Sequence, residues 1–179
     1  MEKMRRDLRR LVREESLLFA LTDLRALLPR HREGAFKSVV TRLEKRGELL
    51  RVCRGIYLFP GFSSYNGDML GNVAARLRAH HFNYLSLETV LSAAGVISQI
   101  PVNRITVMSS GRSNVISCGV YGSIEFVHTR KTPTELAAHL AYDSGSQLWR
   151  ASVPQALQDM RDTRRDTGLV DWEAAGEFV

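Results

Sequence analysis

Lys37, Ser38, Thr41, Arg42 and Lys45 recur at spacings of three and four residues, and Arg51 and Arg54 follow closely. At helical spacing, two hydroxyls and three cations suit contact with a nucleic-acid groove. Arginine pairs with guanine edges, serine and threonine reach base edges or phosphate, and lysine neutralises the backbone. An ordinary solvated helix face carries the same residue types. Which reading holds depends on the elements that present these side chains.

Phe36, Val39, Val40 and Leu43 share one helical face and predict a core-facing helix over residues 34–46, with the five polar side chains outward and Gly47 just past its C-cap. Before it, Thr22 is the expected N-cap of a helix through Leu28 that stops at Pro29, with Asp23 in its first turn. Met4, Leu8, Leu11 and Val12 predict a first helix over Lys3–Glu14, ringed by Arg5, Arg6, Arg9, Arg10 and Arg13. After the third helix, Leu49 to Val52, the turn Cys53-Arg54-Gly55, and Ile56 to Phe59 read as strand, tight turn, strand. Three helices and a hairpin, in that order, predict a winged helix-turn-helix. Its third helix would enter the major groove, with Arg51 and Arg54 on or near the wing tip.

Charge is distributed to match. Of 25 Lys+Arg and 19 Asp+Glu in the chain, 15 and 8 fall between Met1 and Gly55, leaving 10 and 11 for the rest. The first third therefore has a balance of +7 and the remainder −1. A split of this kind points to a polyanion bound by one module, and the module to double-stranded DNA.

With 44% apolar and 25% charged residues the composition is that of a globular protein. No stretch nears the roughly 18 apolar residues of a membrane span. The basic start lacks the apolar run of a signal peptide, so a cytoplasmic location is expected, although Met4–Val12 also has the pattern of a basic amphipathic membrane helix. Cys53 and Cys118 have no partners at metal spacing and read as two thiols.

Phe62–Gly67 is small and polar, a linker between residues 1–62 and a second domain over 65–179. That domain opens with a helix from Asp68 to about Ala79, striped by Met69, Val73, Ala74 and Leu77. Ser86 is the expected cap of a helix over Leu87–Ala94 that Gly95 ends. A period of two then runs through Ile105, Val107, Val115, Ile116, Val120, Ile124, Phe126 and His128, predicting about three strands. Thr132-Pro133 starts a helix toward Leu140, and Pro154–Val179 looks helical. The fold class is α/β (α+β): the winged helix-turn-helix, then a mixed helix and antiparallel-sheet domain.

Catalytic chemistry is sparse. There is no glycine-rich phosphate loop with lysine, and no acid two residues before Lys37, Lys45 or Lys131. His80 and His81 are adjacent and would point apart on a helix, which disfavours a shared metal. Ser109-Ser110-Gly111-Arg112-Ser113 suits a turn between strands or a phosphate cradle. Glu88 and Glu125 stand as single carboxylates with no visible partner. The expectation is a non-enzyme without cofactor or metal. Two rivals are a DNA-binding nuclease subunit, and a repressor whose second domain dimerises or senses a ligand.

Two stretches carry a family resemblance. One is Thr41-Arg42-Leu43-Glu44-Lys45-Arg46-Gly47-Glu48-Leu49 with Arg51-Val52-Cys53-Arg54-Gly55-Ile56-Tyr57. The other is Asn83-Tyr84-Leu85-Ser86-Leu87-Glu88-Thr89-Val90-Leu91-Ser92, Gly95-Val96-Ile97, Ile105-Thr106-Val107 and Gly122-Ser123-Ile124-Glu125-Phe126. Together they resemble the AbiEi-type antitoxins of bacterial type IV toxin–antitoxin (abortive infection) systems. The resemblance implies an N-terminal winged helix that represses its own promoter at repeats, expected to be inverted. It also implies a C-terminal domain that counteracts a nucleotidyltransferase-like toxin.

Overall fold

In the computed structural model, residues 18–60, 68–98 and 103–178 are described, together with Arg6 as a helical residue. The helix expected over Lys3–Glu14, Arg6 aside, and the linker Phe62–Gly67 lie outside the described residues. The chain divides into two compact units, Met1–Asn66 and Gly67–Val179, and is mixed α/β with two sheets.

The first unit contains β1 (Leu18–Ala20), α1 (Leu21–Leu27), α2 (Glu33–Lys45), β2 (Leu50–Cys53) and β3 (Ile56–Leu58). Its three-stranded antiparallel sheet has the order β1-β3-β2, with Leu18 opposite Leu58 and Ala20 opposite Ile56. Phe36, Val39, Val40 and Leu43 are buried as their spacing predicts and pack with Phe19, Leu24, Leu49 and Tyr57. A fully buried side chain of this size contributes roughly 1.5–3 kcal/mol, and this cluster is what fixes the roll of α2. Gly47 follows the C-cap Arg46 with φ +68. The N-cap of α1 is Ala20, not Thr22, because the Asp23 carboxylate accepts the Ala20 N–H at 2.8 Å and the helix begins earlier.

The second unit contains α3 (Met69–Leu77), β4 (Asn83–Leu85), α4 (Glu88–Ala93), β5 (Arg104–Ser109), β6 (Asn114–Ser117), β7 (Ser123–His128), α5 (Pro133–Leu136), β8 (Leu140–Asp143), β9 (Leu148–Ala151), α6 (Val153–Asp162) and α7 (Trp172–Gly176). Its sheet has the order β6-β7-β5-β4-β9-β8. The sheet is mixed, not antiparallel: β5 runs parallel to β7, and β4 parallel to β9. After β5 the chain passes over the end of the neighbouring strand position to β6. It then returns antiparallel into the gap as β7, which must lie parallel to β5. α3 packs on β5, β7 and β9, and α4 on β5 and α6.

Four further expectations are corrected. Ser86 does not cap α4; Leu87 is the N-cap, at φ 57 and ψ −140, and Ser86 Oγ donates instead to Asp159 Oδ2 at 2.7 Å. Val120 is 90% exposed in a 3₁₀ turn (Gly119–Tyr121), not a strand, because strand-type spacing continued across a turn. The tail is not one helix: α6 ends at Asp162, Arg164 adopts φ 54, and helix resumes at Trp172. The helix begun at Thr132 is likewise short. Thr132 and Glu135 form a capping box, but the chain passes through a 3₁₀ turn (Ala137–His139) into β8.

Candidate nucleic-acid interface

All seven predicted side chains, Lys37, Ser38, Thr41, Arg42, Lys45, Arg51 and Arg54, are exposed on the first unit. Lys37, Thr41 and Lys45 form one row along α2, and Ser38 and Arg42 a second beside it. Ser38 Oγ donates to Gly34 O at 2.9 Å, and Arg42 Nε donates to Ser38 O at 3.2 Å, so Arg42 lies back along its own helix. Lys37 meets Glu33 at 3.1 Å with both side chains nearly two-thirds exposed, a pairing worth little and easily exchanged for a phosphate. Arg42 and Lys45 stand in the last turn, where positive charge complements the helix dipole.

Arg54 and Gly55 make the two-residue turn between β2 and β3, and Gly55 takes φ +88, which a side chain would resist. The Gly55 carbonyl also accepts the Leu21 N–H at 2.8 Å, tying the turn to the start of α1. The β2–β3 register shifts between Arg51 and Cys53. That bulge lets Val52 and Cys53 both be buried while Arg51 stays outward, opposite Tyr57. Burial raises the Tyr57 phenol above its ordinary pKa. Glu44 adds to the rise, and Arg51 draws it back.

Sequence reasoning passed over Arg30, His31, Arg32 and Arg46, which are exposed near the two ends of α2. Arg32 is the helix N-cap. The signal was present as a basic cluster inside what reads as a polar turn. Arg25 is the exception among the cations. It donates to Leu28 O at 2.5 Å and His31 O at 2.7 Å and sits 5.2 Å from the centre of the Phe36 ring, so it braces the α1–α2 turn.

The carboxylates of the second unit have partners that spacing did not show. Arg165 forks between Glu88 Oε1 and Glu125 Oε1, at 2.5 Å each, and Arg104 meets Glu125 Oε2 at 2.7 Å. Burial works against the Arg165 charge, but the two carboxylates outweigh it and raise its pKa. Asp159 is fully buried and accepts from Ser86, Gln155 and Lys131. These acids are structural counter-charges. Among the described residues no group of three or more His, Cys, Asp or Glu is placed to hold a metal, and no helix is long and apolar enough to cross a membrane. Cys53 and Cys118 are both buried.

No protein-family model matches the chain, and no curated protein sequence is significantly similar to it.

Proposed function

We propose that the chain is a transcriptional repressor whose first unit, a winged helix-turn-helix, reads duplex DNA. α2 would be the groove helix and the β2–β3 hairpin the wing. The observation that carries this reading is the co-presentation of Lys37, Ser38, Thr41, Arg42 and Lys45 outward on one buried-faced helix, with Arg51 and Arg54 exposed on the following hairpin. Charge supports it: residues 18–60 hold nine Lys+Arg against four Asp+Glu. The resemblance of residues 41–57 and 83–126 to AbiEi-type antitoxins supports the finer reading, an autorepressor whose second unit counteracts a toxin.

Footprinting of the full chain on its own upstream region tests the proposal. A protected pair of repeats is expected, with affinity falling steeply as salt rises, by a log–log slope of about −0.9 per phosphate neutralised. Binding that ignores both sequence and salt would overturn it. Co-expression with the neighbouring toxin tests the second half: rescue of growth is expected to survive loss of the groove-facing side chains, while repression is not.

A further inference from the structure

The segment between β5 and β6 is not a hairpin turn, because β6 pairs with β7 and not with β5. Residues 110–113 instead cross the end of β7, and the crossing is pinned. Ser113 Oγ accepts the His128 N–H at 2.9 Å. His128 Nδ1 lies 2.9 Å from Gly111 O, and since a carbonyl only accepts, Nδ1 carries the proton. Ser109 Oγ accepts the Gly111 N–H at 3.1 Å and itself donates to the buried Asn83 at 2.7 Å.

Arg78, just past α3, reaches into this crossing. Nη1 donates to Ser109 Oγ at 2.8 Å, and Nη2 donates to Asn114 Oδ1 at 2.5 Å and to the Arg112 carbonyl. Its guanidinium stacks 3.9 Å from the centre of the Phe126 ring. A side chain held by so many contacts is fixed before any ligand arrives. Gly111 makes the approach possible: a Cβ there would stand 2.8 Å from Arg78 Nη1 and 3.4 Å from His81 Cδ2.

A cavity of about 750 Å³ lies at this place, lined by Arg78, His81, Arg112, His128 and the crossing itself, with no carboxylate among the described residues of its wall. Two guanidinium groups, two imidazoles and two hydroxyls without an acid select an anion. A smaller cavity of about 210 Å³ shares Arg78 and His81 and is walled by Phe82, Tyr142 and Trp149. Tyr142 and Trp149 are cross-strand partners on β8 and β9, with ring centroids 5.6 Å apart and 58% and 45% exposure. Large aromatics left open to solvent beside a basic cavity offer a stacking surface.

We propose that the second unit binds a nucleoside phosphate at this double cavity. The phosphate lies against Arg78, His81 and Arg112, and the base on Tyr142 and Trp149. The group comes either as a free mononucleotide or as the phosphorylated end of a single strand.

The test uses the full chain carrying Trp172→Phe, in which Trp149 is the remaining tryptophan. Its fluorescence is followed on adding AMP, GMP, adenosine, inorganic phosphate, and a short single-stranded oligonucleotide with and without a 5′-phosphate. Saturable quenching is expected, at least about tenfold tighter for nucleotide or 5′-phosphorylated strand than for phosphate or adenosine alone. Preference between AMP or GMP and the phosphorylated strand identifies the source. Arg112→Glu and Tyr142→Ala, both at exposed positions, are each expected to weaken binding about tenfold or more without lowering the melting temperature. No saturation below about 10 mM, equal affinity for inorganic phosphate, or full affinity in Arg112→Glu would each overturn the proposal.

Discussion

Arg42 and Arg54 are both exposed arginines of the first unit, yet their settings ask different things of them. Arg42 sits on the outer face of a helix whose roll is fixed by Phe36, Val39, Val40 and Leu43, so its reach is directed. Arg54 sits at a two-residue turn, where it meets whatever backbone passes. In the proposed complex, Arg42→Ala is expected to lower the ratio of specific to random DNA affinity, since a bidentate base contact is worth roughly 1–3 kcal/mol. Arg54→Ala is expected to weaken binding to all sequences alike and to reduce the salt slope by about one. Competition titrations with operator and scrambled duplexes read both. An unchanged ratio in Arg42→Ala would remove α2 as the reader.

Arg165 matters at the scale of elements, because it ties the segment after α6 to α4 through Glu88 and to β7 through Glu125. Glu88 Oε2 is buried without a hydrogen-bond partner, so the pairing of Oε1 with Arg165 bears the compensation for that carboxylate. Arg165→Leu leaves the partly buried Glu88 uncompensated and Glu125 with Arg104 alone. Full burial would make this cost about 3–5 kcal/mol; with each side chain about a fifth exposed, a loss of about 1–3 kcal/mol is expected in chemical denaturation. Arg165→Lys should recover only part, since a single ammonium cannot fork to both acids. A stability equal to the parent in Arg165→Leu would show the network to be ornamental.

The same scale explains what the sequence made legible. The core face of α2 was readable because four apolar residues repeat within one element. β1, β4, β8 and β9 were not, since each has only three or four residues, and β1, β4 and β9 each take a partner from far along the chain. Tyr84-Leu85 is buried on both sides of the strand and shows no alternation. Parallel pairing of β5 with β7 leaves no trace in a period of two. Nor does spacing connect Glu88 to Arg165, 77 positions further along the chain. The seven interface candidates were legible because exposure follows from the helix face and the hairpin alone.

For the whole molecule, the titrating groups set the pH range of stability. The Lys131 hydrogen bond holds Asp162 below its ordinary pKa. Burial acts against Asp143, but Arg150 and the Gly145 N–H outweigh it and hold it low. Thr132 does the same for the exposed Glu135. Each contribution is present above the unfolded carboxylate value of about 4 and is lost as pH falls through the lower folded value. Burial opposes the Lys131 charge, but Asp159 and Asp162 outweigh it and raise its pKa, so its contribution is full below about 10.4 and fades as pH rises further. The melting temperature is therefore expected to stay level from about pH 5 to 9 and to drop below about pH 4. Thermal melts across that range check it, and a decline that begins near neutrality would contradict it.

The parallel pairing of Tyr84 with Trp149 joins residues about 65 positions apart within the six-stranded sheet. In the first unit, by contrast, the strand pairing of the described residues is complete once Leu58 is present. As the chain leaves a ribosome, β1, β2 and β3 are all present before the first strand of the second unit has been made. Throughout the synthesis of residues 86 to 147, β4 waits with at least one edge open, both until β5 is made, a buried strand in the finished sheet but an adhesive one in the nascent chain. A transcript or polypeptide cut short before Leu148 would thus release the basic first unit fused to an unclosed sheet, prone to aggregation rather than harmlessly unfolded.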